Sequence, residues 1–172
     1  MSRRNRFLSV FTVLGTASLG LTCRSDRPLL TGIASSLSPS PTKQSGLLSC
    51  TPLRSTTVKQ SVGPGGGTMV IGPHVFVVPP GALAAPVVIT GKTTGDAGNA
   101  VYFKPAGLVF SIPASLTLSY ANCNTLGSTA SKEVAYTSDS LFIVYYVSSA
   151  DAPSAKTVTG RIDHFSAFAV AW

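Results

Sequence analysis

The sequence predicts an all-β protein, a single antiparallel β-sandwich of about eight to nine short strands preceded by a signal segment and a tether. Three observations predict this fold class. Charged residues make up only 11% of the chain, and Gly, Ser, Thr and Val replace the Lys and Glu of helix surfaces. Short β-favouring runs alternate with turns drawn from 16 Gly and 12 Pro residues. No segment of ten or more residues has an amphipathic helical period.

The N-terminus resembles an export signal over residues 1–23. Met1–Arg6 is basic, and Phe7–Leu21 is apolar, uncharged and shorter than the ~20 residues that span a bilayer. Two processing sites are consistent with this pattern. Ser18–Gly20 offers small residues to an ordinary signal peptidase, whereas Gly20–Cys23 resembles a lipobox in which Cys23 becomes lipidated. We therefore expect an exported protein that is either secreted or held at the cell envelope by a lipid on Cys23. This lipid is the only contact with a membrane that we expect.

Residues 24–57 read as a tether rich in Ser, Thr and Pro, and the folded domain is predicted over residues 58–172. The formal net charge of +7 belongs mainly to the first segments. From Thr56 onward, six basic residues stand against five acidic ones, and the basic residues are scattered singly along the sequence. Nucleic-acid binding requires basic residues clustered on one face, so we expect no nucleic-acid partner.

Strands are predicted wherever β-branched and aromatic residues recur between turn signals. Ser115–Tyr120 alternates apolar and hydroxyl side chains, as a half-buried strand does. The glycine-rich run Gly63–Gly67 lacks the Lys-Ser/Thr of a phosphate loop and predicts a tight turn instead. The predicted strands are Thr68–Ile71, His74–Val78, Val87–Lys92, Ala100–Lys104, Ser115–Tyr120, Val134–Tyr136, Leu141–Val147, Thr157–Ile162 and Phe165–Trp172.

Few residues have the spacing of a catalytic or metal site. The two histidines, His74 and His164, and the dispersed acids form no zinc-ligand pattern, so we expect no metal and no cofactor. A hydrolase triad could be drawn from Ser166, His164 and Asp163. Because adjacent residues on a strand point to opposite faces, Asp163 and His164 are not expected to form its relay.

The cysteines predict one disulfide bond. An exported chain favours oxidised thiols, and with Cys23 lipidated or removed, Cys50 and Cys123 are the only pair left. Cys50 lies before the first predicted strand and Cys123 just after the strand Ser115–Tyr120, and a bridge between strand ends is sterically reasonable. The alternative is two free, buried thiols, since position along a chain does not fix a distance.

Residues 60–122 resemble a ZU-five domain. The resemblance lies in the segments Gly65–Thr68, Val75–Leu83 with its Pro-Pro-Gly-Ala block, Tyr102–Phe110 and Pro113–Tyr120. It implies a β-sandwich with a role in protein interaction or interdomain scaffolding. The His164-Phe165-Ser166 ending also resembles a self-cleavage site of related domains. That resemblance implies Ser166 as the nucleophile, Phe165 as the source of the carbonyl and His164 as the base. A purely structural tripeptide is the alternative.

Three hypotheses for function follow. The first is a non-catalytic, exported β-sandwich module for protein interaction or envelope structure, with an unidentified envelope or extracellular partner. The second is a module that binds an extracellular glycan or peptide, which requires two or three aromatic side chains exposed on one face. The positions of Phe103, Tyr145 and Tyr146 in the sheets distinguish these two hypotheses. The third is a domain that cleaves itself between Phe165 and Ser166.

Overall fold

The computed structural model describes residues 46–172, so the signal segment, Cys23 and most of the predicted tether lie outside the described residues. The described part of the chain forms thirteen strands. In chain order they are β1 (Ser49–Cys50), β2 (Thr56–Val62), β3 (Gly67–Ile71), β4 (His74–Val78), β5 (Val87–Thr93), β6 (Val101–Lys104), β7 (Val109–Ser119), β8 (Cys123–Asn124), β9 (Glu133–Thr137), β10 (Ile143–Tyr146), β11 (Ser149–Ala152), β12 (Thr157–His164) and β13 (Ala167–Ala171).

These strands form the predicted antiparallel β-sandwich, and the all-β fold class is confirmed. One sheet has six strands in the order β10-β9-β13-β6-β5-β2, and the other has five in the order β11-β12-β7-β4-β3. β1 and β8 form a separate two-stranded sheet. In residues 46–172 there is no helix that could cross a membrane.

Each predicted strand corresponds to an observed one, with differences at the ends. β7 is the largest case, because it begins at Val109 rather than at Ser115. Its early part contains Pro113, which lacks an N–H for a strand ladder. The pairing of β7 with β12 is irregular at this point: Ala114 pairs with Ile162, but the next pair is Val109 with His164. Proline is therefore accommodated at a bulge inside the strand.

The fold begins before residue 58, the predicted start of the domain. Leu47 forms a bridge with Ala171, and Leu48 is buried and donates its N–H to the carbonyl oxygen of Val170. β2 then pairs with β5 along its whole length. Residues 46–57 therefore add to the edge and core of the sandwich, although their Ser/Thr-rich composition is typical of a tether.

Five phenylalanines join the two sheets at the centre of the core. Phe76 of β4 lies 4.7 Å from Phe103 of β6, measured between ring centroids. Phe165 stacks on Phe103 at 4.9 Å and meets Phe110 edge-on at 5.0 Å. Phe168 contacts Phe103 from β13. All five residues are 4% exposed or less, so this cluster anchors the Phe165 side chain in the core.

The glycine-rich segment forms the tight turn that the sequence predicts, and it carries the chain from β2 in one sheet to β3 in the other. The Gly66 N–H donates to the carbonyl oxygen of Gly63 at 2.9 Å. Gly66 has φ +75°, and a Cβ there would lie 2.3 Å from the Val78 carbonyl oxygen. Only glycine fits this position, because other residues are strained at positive φ and would collide with the backbone.

Candidate functional site

The tripeptide His164-Phe165-Ser166 lies where the chain crosses from one sheet to the other, and we call it the corner segment. β12 ends at His164 and β13 begins at Ala167, so Phe165 and Ser166 form the connection. The prediction that one strand covers Phe165–Trp172 is therefore wrong at its beginning. Phe165 is 1% exposed, while His164 and Ser166 are partly exposed.

Backbone hydrogen bonds hold both sides of the Phe165–Ser166 peptide bond. The Phe165 N–H donates to the Leu108 carbonyl oxygen at 2.8 Å, and the Ser166 carbonyl oxygen accepts from the Phe103 N–H at 3.0 Å. The Phe165 carbonyl oxygen accepts from the Gly107 N–H at 3.1 Å. A donor at this oxygen polarises the carbonyl and would stabilise negative charge on it.

Asp163 and His164 form a hydrogen-bonded pair, which corrects the expectation that they point apart. The His164 Nδ1 lies 2.7 Å from the Asp163 Oδ1. Strand alternation fails here because the register of β12 shifts between Ile162 and His164, at the end of the strand. The hydrogen bond to His164 is the main cause that lowers the pKa of the Asp163 carboxyl. The carboxylate fixes one ring nitrogen of His164 and leaves Nε2 for other contacts.

The His164 ring contacts aromatic side chains of the opposite sheet rather than Ser166. Its centroid lies 5.1 Å from the Tyr136 ring, edge-on, and 6.4 Å from Phe168. The Ser166 hydroxyl makes no hydrogen bond within residues 46–172. Of the three residues drawn as a triad, the structure thus joins Asp163 to His164 but provides no hydrogen bond from His164 to Ser166.

A shallow depression of about 240 Å³ lies beside the corner segment. Residues of β10 and β12 line it, and the Tyr145 ring packs against Tyr136, with 4.9 Å between ring centroids. Its lining residues are Pro113, Tyr145, Tyr146, Val147, Ser148, Arg161 and Asp163. The depression brings two tyrosines and one charge of each sign together.

Strand β10 is an edge strand with exposed apolar side chains. It pairs with β9 on one side only. Phe142, Val144 and Tyr145 are 75%, 57% and 41% exposed. Phe103, by contrast, is buried in the core, so it cannot belong to an exposed aromatic platform. Of the aromatic residues that were to distinguish the two binding hypotheses, Phe103 therefore lies in the core and Tyr145 lies on the exposed edge strand.

The predicted disulfide bond is present. Cys50 and Cys123 are bonded and occupy paired positions of β1 and β8. Near this end of the sandwich, Tyr120 is buried and donates its hydroxyl to Asp151 at 2.8 Å. Tyr120 is therefore a packing residue.

His74 is fully buried on the inner face of β4. Its Nδ1 accepts the Ser119 N–H at 3.1 Å, which places the ring proton on Nε2. Nε2 has no hydrogen-bond partner among residues 46–172. Burial lowers the pKa of His74 from 6.5 to about 4, so the ring is neutral at pH 7. The His74 imidazole is part of the core and is separate from the corner segment.

Three lysines that are far apart in the sequence lie together on the outer face of the six-stranded sheet. Lys59 pairs with Thr90, and Thr90 pairs with Lys104 on its other side. Lys92 pairs with Tyr102 in the neighbouring row. The expectation that basic residues are scattered singly is therefore wrong for these positions, because strand pairing gathers residues that sequence distance separates.

No three histidine, cysteine or acidic side chains of residues 46–172 come close enough to hold a metal ion. Comparison of the sequence with models of known protein families and with curated proteins finds no significant match to either. The function must therefore be argued from the arrangement of side chains.

Proposed function

We propose that this protein is a non-catalytic, exported β-sandwich module that binds another protein through the free edge of β10. The observation that carries the proposal is the exposure of Phe142, Val144 and Tyr145 at the edge of the six-stranded sheet. The resemblance of residues 60–122 to ZU-five domains, whose usual role is protein interaction, supports it. The disulfide bond supports an oxidising, extracytoplasmic location.

The chemistry of β10 suits an added strand. Leu141–Val147 contains no charged residue, and its β-branched and aromatic side chains favour extended structure. An edge strand offers backbone N–H and C=O groups that a partner strand can pair with. Apolar side chains of the incoming segment would then cover Phe142 and Val144. The expected partner is an extended, apolar segment of an envelope or extracellular protein.

Photocrosslinking at the edge tests this proposal. The crosslinking residue p-benzoylphenylalanine is placed at Phe142 in the full chain and, as a control, at Val88, which is 63% exposed but lies on β5, an inner strand of the sheet. We expect an adduct with one distinct polypeptide from position 142 and none from position 88. The substitution Val144→Lys should abolish the adduct, while Val88→Lys should preserve it.

Two results would overturn the assignment of a partner to β10. Adducts that form equally at both positions would show non-specific contact with the surface. Adducts of the chain with itself alone would show that the edge joins two copies rather than a different protein.

A second candidate function is self-cleavage between Phe165 and Ser166, favoured by the Gly107 N–H on the Phe165 carbonyl and by the Asp163–His164 pair. The Ser166 Oγ would attack the Phe165 carbonyl carbon, and its proton would pass to a base as the C–N bond breaks. The serine nitrogen takes up a proton, which gives a free amine and an ester. Water then hydrolyses the ester to the Phe165 carboxylate and the Ser166 hydroxyl.

Intact-mass measurement of the denatured, purified chain tests self-cleavage. We expect loss of residues 166–172 in the unmutated protein, retention in Ser166→Ala, and slower loss in His164→Gln. A single full-length mass for both the unmutated protein and Ser166→Ala would exclude the reaction. Neither result affects partner binding at β10, since β10 is a separate strand and pairing along its edge uses no hydroxyl chemistry.

A further inference from the structure

The outer face of the six-stranded sheet carries a cluster that the proposed function does not use. Five residues from β2, β5 and β6 line a shallow depression of about 280 Å³. We call this cluster the lysine face, and its members are Lys59, Thr90, Lys92, Tyr102 and Lys104. No acidic side chain is among the lining residues.

The strand register fixes how the cluster is arranged. One cross-strand row consists of Lys59, Thr90 and Lys104. The Cα atoms of its two lysines are therefore separated by two strand spacings, about 10 Å. Lys92 and Tyr102 form the adjacent row on the same face. Three flexible ammonium groups can therefore reach one negatively charged group above Thr90, with an aromatic ring at its side.

The positive charge of the lysine face is not neutralised within the described residues. Beyond the backbone pairing of their strands, the side chains of its three lysines form no ion pair or hydrogen bond within residues 46–172. Burial raises the pKa of the Tyr102 hydroxyl, and the negative charges of Asp96 and Asp139 add to this effect. Neither of them lines the depression. Clustered cations without acidic partners favour an anionic ligand.

We propose that the lysine face binds an acidic sugar unit of a polysaccharide, with its carboxylate or sulfate held by Lys59, Lys92 and Lys104 and its ring resting on Tyr102. A compact site that combines an aromatic side chain, a hydroxyl and point charges matches the mixed apolar and anionic surface of such a sugar. This proposal goes beyond protein binding at β10 and does not depend on it.

The extent of the cluster argues against a nucleic acid or a membrane as the ligand. Nucleic-acid binding faces commonly make about 6–10 phosphate contacts, whereas the lysine face offers three cations. The sheet beyond it continues on the same face with uncharged residues such as Thr57 and Ser61. Val88 is a single exposed apolar residue there, too little to insert into a bilayer.

Binding of the purified full chain to soluble polymers tests the proposal. Polygalacturonate supplies carboxylates, dextran sulfate supplies sulfates, and neutral dextran is the uncharged reference. The variant Lys92→Gln/Lys104→Gln is compared with Arg54→Gln/Lys156→Gln, which removes the same charge from exposed positions elsewhere. We expect binding to at least one acidic polymer and none to dextran. The lysine-face variant should bind about fivefold more weakly, and the control should change by less than about twofold.

Tyr102 separates recognition of a sugar from simple charge attraction. Tyr102→Ala should weaken binding of the polymer, whereas Tyr102→Phe, which keeps the ring, should bind nearly as well as the unmutated protein. Val144→Lys, which disables the β10 edge, should leave polymer binding unchanged, so that the two proposals can fail independently. Far-ultraviolet circular dichroism confirms that each variant folds.

Three outcomes would overturn the proposal. Equal weakening in the lysine-face variant and its charge-matched control would show attraction by net charge alone. Absence of binding to both acidic polymers would remove the ligand class. Tighter, lysine-face-dependent binding of a single-stranded oligonucleotide or of vesicles rich in anionic phospholipid would assign the face to phosphate-bearing polymers or to a membrane instead.

Discussion

Acidification should destabilise this domain through His74, well above the pH at which carboxylates titrate. His74 is fully buried, and burial lowers its pKa from 6.5 to about 4. The unfolded chain therefore binds a proton at pH 5 that the folded chain does not. The stability that neutral His74 contributes is fully present above pH 6.5, its pKa in the unfolded chain. It is lost as the pH falls toward about 4, its pKa in the folded chain. Linkage gives a loss of about 2 kcal/mol from pH 7 to pH 5 and about 3 kcal/mol by pH 4.

Urea unfolding followed by the fluorescence of Trp172, the only tryptophan, measures this loss at pH 7, 6 and 5. Asp163, whose pKa is lowered, titrates below this range and does not interfere. The control is His74→Asn, whose amide oxygen can still accept the Ser119 N–H but does not titrate. We expect the variant to be less stable at pH 7 but to lose less than about 0.5 kcal/mol by pH 5. Equal pH dependence in both proteins would refute the assignment to His74.

Two further predictions concern packing and the disulfide bond. Gly160→Ala should lower the free energy of unfolding by about 1–3 kcal/mol, since its Cβ would lie 2.7 Å from the Val134 Cβ of the opposite sheet. A Cβ at Gly65 would meet open space, so Gly65→Ala should change the free energy of unfolding by less than about 1 kcal/mol in the same denaturation assay. A similar loss in both variants would contradict the packing argument. The paired change Cys50→Ser/Cys123→Ser should cost about 4 kcal/mol, because the bond closes a loop with a sequence separation of 73. Unchanged stability of the unmutated protein after full reduction would contradict this value.

The strands that the sequence predicted are those with a clear apolar alternation. β12 and the later part of β7 are examples, since their buried residues recur at every second position. β1, β8 and β11 are only two to four residues long and carry polar residues, so they have no period to detect. β2 was missed because its partly buried positions include Thr56 and Gln60. Short or polar strands are defined by their partners rather than by their own composition.

The candidate sites depend on strand register, which sequence patterns do not contain. Lys59, Lys92 and Lys104 meet only because β2, β5 and β6 pair in one particular alignment. A shift of one residue in one strand would move its lysine to the other face. The Asp163–His164 pair was excluded by a rule of alternation that holds inside strands but fails at the irregular end of β12.

The disulfide bond also determines how the domain would carry a mechanical load. A pull on the chain ahead of residue 46, resisted by a partner on β10, passes from Cys50 directly to Cys123 through the covalent bond. The segment between them contains β2–β7 and lies outside this load path. Its contour length, about 250 Å for a separation of 73 residues, cannot be released while the bond is intact. Under tension, the oxidised domain can therefore lengthen only through residues outside this loop, and the lysine face on β2, β5 and β6 lies entirely within the part of the chain that carries no load.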